Sequence, residues 1–302
     1  MIAEPNAQPD GQGGRAPRPA AEHGPTVLRI ALGGELRKLR HKAGITREAA
    51  GEAIRGSHAK ISRLELGRTG FKERDIRDLL TLYGVTDESE RETFLDLARR
   101  ANEPGWWHRY SDLLPQWFGQ YLGLEQAAAK IRTYEAHLVP GLLQTPDYAR
   151  AVLALGSDDA DTDRRVAVRR RRQEILRRTD PPIVWAVIDE AALHRPVGGS
   201  RVHLEQIEAL IEYSELPNVT VQVLPYSAGE HAAAGSSFSI LRFADTDLPD
   251  VVYLEHLTSA VYLERPQDLA LYRSVMDRLS VQAMAPDASR QFLKNFAAGL
   301  PG

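Results

Sequence analysis

The segment GITREAAGEAIRGSHAKISRLELG, residues 44–67, decides the fold of the N-terminal region. It contains two short helical patterns, each preceded by a hydroxyl residue, Thr46 or Ser57, of the kind preferred at a helix N-cap. Gly56 lies between the two patterns and is typical of a turn. Two helices joined by so short a turn meet at a sharp angle, and the segment therefore predicts a helix-turn-helix.

The apolar positions of the same segment predict which faces of its helices are buried. Ala49, Ala50 and Ile54 of the second helix face inward, and Ile61 and Leu64 attach the third helix to the bundle. The outer and N-terminal part of the third helix is then free to approach base edges in a DNA groove. The residues in that part are His58, Ala59, Lys60, Ser62 and Arg63.

Further helices flank the segment on both sides. Leu28, Leu32, Leu36 and Leu39 recur every three or four residues and predict a helix that ends at Gly44. Two more helical patterns follow, in residues 71–84 and 87–102. We therefore expect an all-α bundle of five short helices over residues 26–103. Residues 1–25 are rich in Pro, Gly and Ala with little to bury, which predicts a disordered arm.

The charge of the chain is distributed unevenly. Its formal net charge is −3, but residues 27–85 contain thirteen Lys or Arg and seven Asp or Glu, a local charge of +6. The remainder therefore carries −9. A basic module attached to an acidic body is expected to meet a polyanion such as DNA through the basic module.

The run from Gly33 to Gly67 resembles the XRE class of bacterial regulators, whose DNA-binding domains are similar to phage repressors. It shares LRxLRxxAGxT, a Ser-capped third helix and ISRLExG at the separations found in that class. The resemblance implies an ion pair between Arg40 and Glu65 that links the first helix to the third. It also implies DNA contacts by Arg47, His58, Ala59, Lys60 and Arg63, and with Ser57, Ser62 and Arg68 these make up the predicted DNA-binding residues.

One position departs from the pattern of that class. Arg55 stands where the turn glycine is usual, and Gly56 follows one position later. This departure predicts an altered turn geometry. Two roles for Arg63 stay open, because its guanidinium suits two hydrogen bonds to guanine and equally suits a phosphate.

From Pro104 onward, strand-like runs alternate with helices. Some of these strands are joined by a helix and others by short loops, which predicts an α+β domain with a mixed sheet over residues 104–302. A helix is expected near residues 116–130. The predicted strands lie in residues 183–189, 218–225, 236–243, 251–257 and 259–264.

Two features of this second domain have open interpretations. Trp106, Trp107, Tyr110 and Trp117 form an aromatic cluster suited to internal packing or to a partner or dimer surface. Eight arginines between Arg164 and Arg178 occupy every face of one helix. They are expected to be mostly a solvated surface paired with acidic residues, or else to contact the DNA backbone or an acidic partner.

The segments of the second domain, among them LVPGLLQTPDYARAV and LPDVVYLEHLTSAVYLE, are similar to a large group of actinomycete regulators whose C-terminal domain is uncharacterised. Many members are described as antitoxin-like, because they are encoded beside a small protein thought to bind them. The resemblance implies a sequence-specific transcriptional regulator and a small partner protein. A homodimer is expected, because two half-sites increase the affinity of so small a recognition helix.

An enzyme and an effector-binding regulator are the alternatives. The residue types that bind metals or move protons occur near predicted strand ends, but HExxH, GxSxG, GxxxxGK[ST] and GxGxxG motifs are absent. We therefore expect no catalysis, no cofactor and no metal, and keep a small-molecule pocket as the alternative. The residues of those types are Asp189, Glu190, His194, His231, Glu255 and His256.

Composition also bears on location. The chain has no cysteine and no apolar run near the roughly 18 residues that span a membrane. We therefore expect a cytoplasmic protein without a membrane partner.

Overall fold

A computed structural model describes residues 24–154, 159–233, 236–244 and 248–300. The chain divides into two compact units after Pro104. The arm predicted for residues 1–25 lies outside the described residues except for Gly24 and Pro25. These two residues begin the first helix, with Gly24 at its N-cap and Pro25 at its first position.

The N-terminal unit contains five helices within its described residues. They begin where the sequence supplies suitable first residues: Pro25 has a fixed φ that suits a helix start, and the side chains of Thr46, Ser57 and Asp87 accept hydrogen bonds from backbone N–H groups. The helices are α1 (Pro25–Lys42), α2 (Arg47–Ala53), α3 (His58–Glu65), α4 (Glu73–Leu82) and α5 (Glu88–Ala101). Leu32, Leu36, Ile61 and Phe94 are among the residues of their shared core.

The C-terminal unit is an α+β domain, as predicted. Its described strands are β1 (Lys130–Glu135), β2 (Ile183–Asp189), β3 (Val219–Leu224), β4 (Phe238–Arg242), β5 (Val251–Glu255) and β6 (Ala260–Leu263). Its described helices are α6 (Gln116–Ala127), α7 (Pro146–Leu153), α8 (Asp159–Gln173), α9 (Glu190–Leu193), α10 (Ser200–Tyr213), α11 (Pro266–Gln282) and α12 (Pro286–Ala298). Short 3-10 helices cover Trp106–Tyr110, Gly141–Leu143, Glu174–Arg177 and Tyr226–Ala228.

The six strands form one sheet in the order β3-β2-β1-β4-β5-β6. β1 pairs in parallel with β2, and β2 with β3, whereas β4, β5 and β6 are added in antiparallel. Strands joined through helices are parallel and strands joined by short loops are antiparallel, as chain geometry requires. The prediction of a mixed sheet is confirmed.

Alternation along the strands gives the two faces of the sheet different characters. One face carries an apolar core in which Phe238, Val252 and Leu254 pack with Met276 and Leu279 of α11. The residues between them on the same strands point to the opposite face. There they line a cavity together with α6 and α8.

Two sequence-based predictions were wrong in this unit. The helix expected to extend to residue 130 ends at Ala127, and residues 130–135 form β1, an unpredicted strand at the centre of the sheet. The polar run GSDDADTD, residues 156–163, predicts an acidic loop ahead of the basic helix, but α8 already includes Asp159 to Asp163. Acidic residues are favourable in the first turn of a helix, which accounts for the earlier start.

Candidate nucleic-acid interface

Helix α3 presents one face to solvent and one to the core. Ile61 and Leu64 are each 1% exposed and join the core of the N-terminal unit. His58, Ala59 and Arg63 are exposed, and Ser62 is half-buried between the two faces. The polar, exposed side of α3 therefore begins at its N-terminus, where a recognition helix contacts base edges.

Gly51 and Ala50 allow α2 to approach the start of α3 closely. A methyl group on Gly51 would lie 2.9 Å from the carbonyl carbon of Ser57 and 3.1 Å from the backbone nitrogen of His58. Ala50 is completely buried beside it. Ala49, predicted to face inward, is exposed; it follows the cap, and its backbone N–H donates to Thr46 Oγ1. The close-packing role of Gly51 was not predicted, although the run of small residues AAG, 49–51, indicates a close approach of two helices.

Arg55 supplies the turn between α2 and α3. Its φ of +53° is in the left-handed region, where no other non-glycine residue among those described is found. Arg55 thus adopts a conformation that a glycine takes more easily, whereas Gly56, the next residue, does not have a positive φ. The left-handed position of this turn is thus occupied by arginine, and the predicted departure from the usual turn geometry stays a prediction.

Arg40 and Glu65 form a buried ion pair between α1 and α3. Arg40 donates from Nε to Glu65 Oε1 at 2.5 Å and from Nη2 to Oε2 at 3.1 Å, and its Nη1 donates to the Ile45 carbonyl at 2.8 Å. Burial raises the pKa of Glu65, but hydrogen bonds from Arg40 and Arg47 outweigh it and hold that pKa below its usual value. Glu65 is therefore ionised and holds α3 against α1.

Arg47 belongs to the same network. Its Nε donates to Glu65 Oε2 at 3.1 Å, while its side chain stays 37% exposed. Its terminal nitrogens donate to no other residue that the structure describes, and they remain available to a phosphate. One side chain thus connects the ion pair under α3 with the surface at the start of α2.

Lys60 is less free than its position in the sequence indicates. Its Nζ lies 2.5 Å from Oδ2 of Asp75, a residue of α4 that is 1% exposed. A lysine paired with a buried carboxylate stays in place, because its departure would leave that charge unpaired. The expected outward orientation of Lys60 is therefore wrong, and its main contact joins α3 to α4.

Arg63, His58 and Arg68 are exposed and form no ion pair with any residue in the described ranges. Ser57 accepts the backbone N–H of Lys60 through its Oγ at 3.3 Å, so its hydroxyl caps the helix while its backbone N–H remains at the surface. Phosphate and base contacts use exposed arginines such as Arg63 and Arg68, and backbone N–H groups at a helix N-terminus such as that of Ser57.

Two glycines bring α1 into backbone contact with the end of α3. A methyl group on Gly33 would overlap the main-chain oxygens of Leu64 and Glu65. A methyl group on Gly67, where φ is +62°, would lie 2.7 Å from the backbone nitrogen of Ile30. Gly33 and Gly67 therefore fix the C-terminal end of α3 by direct backbone packing, and Gly51 does the same at its N-terminal end.

In the C-terminal unit, the aromatic cluster is half-buried. Trp106 meets Trp107 and Tyr110 edge to face, with ring centroids 5.8 and 6.4 Å apart, and its Nε1 donates to Gln126 at 3.1 Å. Trp117 meets Phe118 in the same way at 5.8 Å. The rings thus pack on one another while keeping part of their surface accessible.

The candidate metal-binding and proton-transfer residues separate into distinct groups. Asp189 accepts the Tyr134 hydroxyl at 3.2 Å and lies 3.7 Å from His231 Nε2, whereas Glu190 lies 3.2 Å from His194. Within the described part of the chain, no three His, Asp or Glu side chains come together as a metal ion requires. Glu255 accepts the Tyr253 hydroxyl at 2.9 Å and lines the cavity, as does His256.

The basic helix α8 uses its arginines in different ways. Arg164 and Arg171 are exposed and pair with Asp112 and Glu174. Arg172 is buried, and Arg165 and Arg169 also line the cavity. The expected solvated surface therefore describes only part of this helix.

The fold and this surface define a helix-turn-helix protein, and residues 31–94 match the helix-turn-helix domain family. This domain indicates a DNA-binding regulator. Residues 118–295 match a domain of unknown function, DUF5753, and the chain belongs to that family. No curated protein and no solved structure matches the chain. None of the described helices combines the length and apolarity needed to span a bilayer.

Proposed function

We propose that the protein is a sequence-specific transcriptional regulator that binds duplex DNA through α3. The observation that carries this proposal is the exposed Arg63, which forms no ion pair with a described residue and lies beside His58 and Ala59 on a helix whose opposite side is core. The local charge of +6 over residues 27–85 supports it, because attraction to phosphates brings this module to DNA.

We assign a role to each predicted DNA-binding residue from the contacts that it makes. Arg63, His58, Ala59 and Ser62 are the base-contacting set, because they lie on the solvent side of α3. Arg47, Arg68 and the backbone at Ser57 are assigned to phosphates. Lys60 and the Arg40–Glu65 pair position the helix instead of reading bases.

The regulator acts as a homodimer in this proposal, since one short helix buries too little surface for a specific site and paired half-sites double the contact. The half-exposed Trp106, Trp107, Tyr110 and Trp117 supply a surface for the second copy or for a small antitoxin-system partner. The protein is not an enzyme, and it works in the cytoplasm, where the DNA is.

A second candidate is a regulator that responds to a small molecule. A cavity of about 640 Å³ in the C-terminal unit favours it. That volume is within the range of roughly 300 to 1,000 Å³ that small-molecule sites occupy.

DNA binding is tested by fluorescence anisotropy with the full chain on the DNA upstream of its own gene. We expect saturable binding that weakens as salt rises. Arg63→Ala is expected to cost about 1 to 3 kcal/mol and to relax preference at one base pair if Arg63 reads a base. If Arg63 holds a phosphate, all sequences weaken alike.

Arg99→Ala is the matched control. Arg99 is also an exposed arginine of the N-terminal unit, but Glu73, Glu92 and Asp96 surround it within 3.9 Å. Its charge is already compensated, so its loss should leave DNA affinity unchanged. Equal effects of the two substitutions, or no salt-dependent binding at all, would disprove the proposed surface.

A further inference from the structure

The cavity of the C-terminal unit lies between one face of the sheet and helices α6 and α8. Thr133 and Glu135 of β1, Ser239 of β4, and Tyr253 and Glu255 of β5 reach it from the sheet. These positions alternate with the apolar residues that face α11. A sheet face that would ordinarily be apolar under a helix layer therefore carries several polar side chains, two of them carboxylates.

The acidic side of the cavity consists of Glu135 and Glu255, and neither carboxylate is paired with a cationic side chain among the described residues. Glu135 forms no ion pair with any described residue, and Glu255 accepts only the Tyr253 hydroxyl within those ranges. Burial is the main cause that raises the pKa of Glu135 to about 7; the charge of Glu255 also raises it, whereas a hydrogen bond from Ser237 and the charges of Arg169 and Arg172 lower it. Carboxylates in such a position bind a cation favourably, because one would replace their lost hydration.

The basic side is formed by α8. Arg165 and Arg169 face the cavity without an ion pair to any residue described, and Nε of Arg165 is buried without a hydrogen-bond partner. Arg169 donates from Nη1 to the neutral amide oxygen of Gln144. Burial lowers the pKa of Arg169 to about 10. A buried guanidinium without a carboxylate is a favourable site for an anion.

Arg172 lies on the same side of the cavity and, unlike Arg165 and Arg169, is paired with a carboxylate. It donates to both oxygens of Glu125 at 2.8 Å, and its guanidinium lies 5.2 Å from the Phe118 ring and 5.4 Å from the Tyr121 ring. Every strong interaction of Arg172 is thus made within the protein. Arg165 and Arg169 differ from Arg172 because neither has a carboxylate partner among the residues that the structure describes.

Aromatic rings form a third side of the cavity. Tyr121 stacks on Tyr253 with ring centroids 4.1 Å apart, and Phe118 stacks on Tyr121 at 5.7 Å. The cavity therefore combines a positive wall, a negative wall and flat apolar surface in about 640 Å³.

We propose that this cavity binds a small zwitterionic organic molecule of the amino-acid or short-peptide class. Its carboxylate meets Arg165 and Arg169, its ammonium group meets Glu135 and Glu255, and its side chain lies against Tyr121 and Tyr253. This inference deepens the second candidate function by naming the class of effector. It is tested by ligand binding without DNA, so its failure is distinguishable from failure of the DNA-binding proposal.

The experiment measures thermal stability and calorimetric binding with the full chain. The probes are phenylalanine, tryptophan and the dipeptide Phe-Phe, with 3-phenylpropionate and phenethylamine as compounds that carry only one of the two charges. At a hundredfold excess over its Kd, a zwitterion should raise the Tm of the C-terminal unit by about 5 to 10 °C. Each single-charge compound should bind at least about tenfold more weakly.

Three variants locate the binding. Arg169→Gln and Glu255→Gln should each weaken zwitterion binding by about tenfold or more, because each removes a charge while nearly keeping shape. Arg170→Gln, an exposed neighbour on α8 outside the cavity, should bind as the parent does. Circular dichroism without ligand shows whether each variant is folded. If Arg169→Gln does not fold, Glu255→Gln alone tests whether the cavity is the binding site.

The proposal is overturned if no zwitterion binds or if a single-charge compound binds as tightly as its zwitterionic counterpart. It is also overturned if Glu255→Gln and Arg170→Gln have equal affinities. Tight binding that Arg169→Gln and Glu255→Gln both reduce supports it.

Discussion

The two units of the protein each contain a buried arginine–glutamate pair, and the surroundings of these pairs differ. Arg40 and Glu65 lie beneath a helix whose unpaired cations face solvent. Arg172 and Glu125 lie beside a cavity into which unpaired charges of both signs point. Similar pairs thus support two surfaces, one exposed and of one sign, the other enclosed and of mixed sign.

This difference teaches how the two kinds of site can be distinguished. A polyanion needs accessible charge of one sign, because its affinity comes from released counterions. A small molecule needs groups that are held away from water, where each contact is stronger. The net charge of a chain describes neither site, since here it combines the +6 of one region with the −9 of the rest.

The largest expected effect comes from removing the acid of each buried pair. Glu65→Ala and Glu125→Ala should each lower the free energy of unfolding by about 3 to 5 kcal/mol, because a buried arginine loses its partner. All four tryptophans follow residue 104, so their fluorescence reports the C-terminal unit. In urea, only Glu125→Ala should shift the fluorescence transition. Glu65→Ala should shift only the unfolding of the N-terminal unit, which circular dichroism detects and the fluorescence does not.

Glu92→Ala and Glu205→Ala are the matched controls for this comparison. Both acids form exposed pairs, with Arg99 and Arg201. Such pairs contribute about 1 kcal/mol or less. A loss at Glu65 or Glu125 no larger than that of its control would contradict the structural role of the buried pair.

Close packing of α2 on α3 gives the next effect. Gly51→Ala should destabilise the N-terminal unit by about 1 to 3 kcal/mol and weaken DNA binding, because its methyl group meets the backbone of the turn. Gly34→Ala, on a helical position with nothing within 4 Å, should instead stabilise by about 0.5 to 1 kcal/mol. Urea unfolding followed by circular dichroism measures both, and effects of the same sign would argue against the close approach.

The two units should respond oppositely to pH. The pKa of Glu65 is lowered, so its stabilisation is present above the usual glutamate pKa and is lost as pH falls through the folded value. The pKa of Glu135 is raised from 4.5 to about 7, so the C-terminal unit loses stability as pH rises through that interval. Glu135→Gln should therefore raise the Tm of this unit by about 2 to 4 °C at pH 8.

At pH 4 the same substitution should have almost no effect, because the parent is then protonated as well. Differential scanning calorimetry of the parent and variant over pH 4 to 8 provides the measurement. His137 and His256 also line the cavity and are present in both proteins. Parallel Tm curves for the two proteins would show that Glu135 is not the source of the pH dependence.

The smallest expected effect concerns the turn. Arg55→Gly should stabilise the N-terminal unit by about 0.5 to 1 kcal/mol, because glycine adopts the left-handed conformation without steric cost. Arg55→Ala removes the same charge and the distant contact to Asp78 at 3.6 Å but keeps the steric cost. The free energy of unfolding from urea titrations should separate the two variants; identical values would mean that the turn is unstrained.

The N-terminal unit was largely predictable because its determinants are local. Thr46 and Ser57 cap the helices that begin one residue later, and the leucine spacing of α1 defines the buried face of that same helix. The ion pair of Lys60 was not predictable, because its partner Asp75 lies in another helix, α4. The sequence of α3 does not show which residue of α4 packs against it.

The cavity was less predictable because it depends on contacts far apart in the sequence. β1 was missed because Lys130, Arg132 and Glu135 make it look too polar for a central strand. Arg132 is accommodated by Asp277 at 2.7 Å and by the Trp185 ring at 5.2 Å, whereas Glu135 faces the cavity. Glu255, His256 and the arginines of α8 were each noticed in the sequence, but their meeting in one cavity was not predicted.

Backbone contact at Gly33 and Gly67 has a mechanical consequence for control. With α1 against its C-terminal end and α2 against its N-terminal end, α3 has no hinge of its own and cannot be re-aimed by itself. We expect affinity for an operator to be adjusted by how many copies of the five-helix unit are engaged and at what spacing. In such a system, a signal changes occupancy of the operator and leaves the preferred base sequence unaltered.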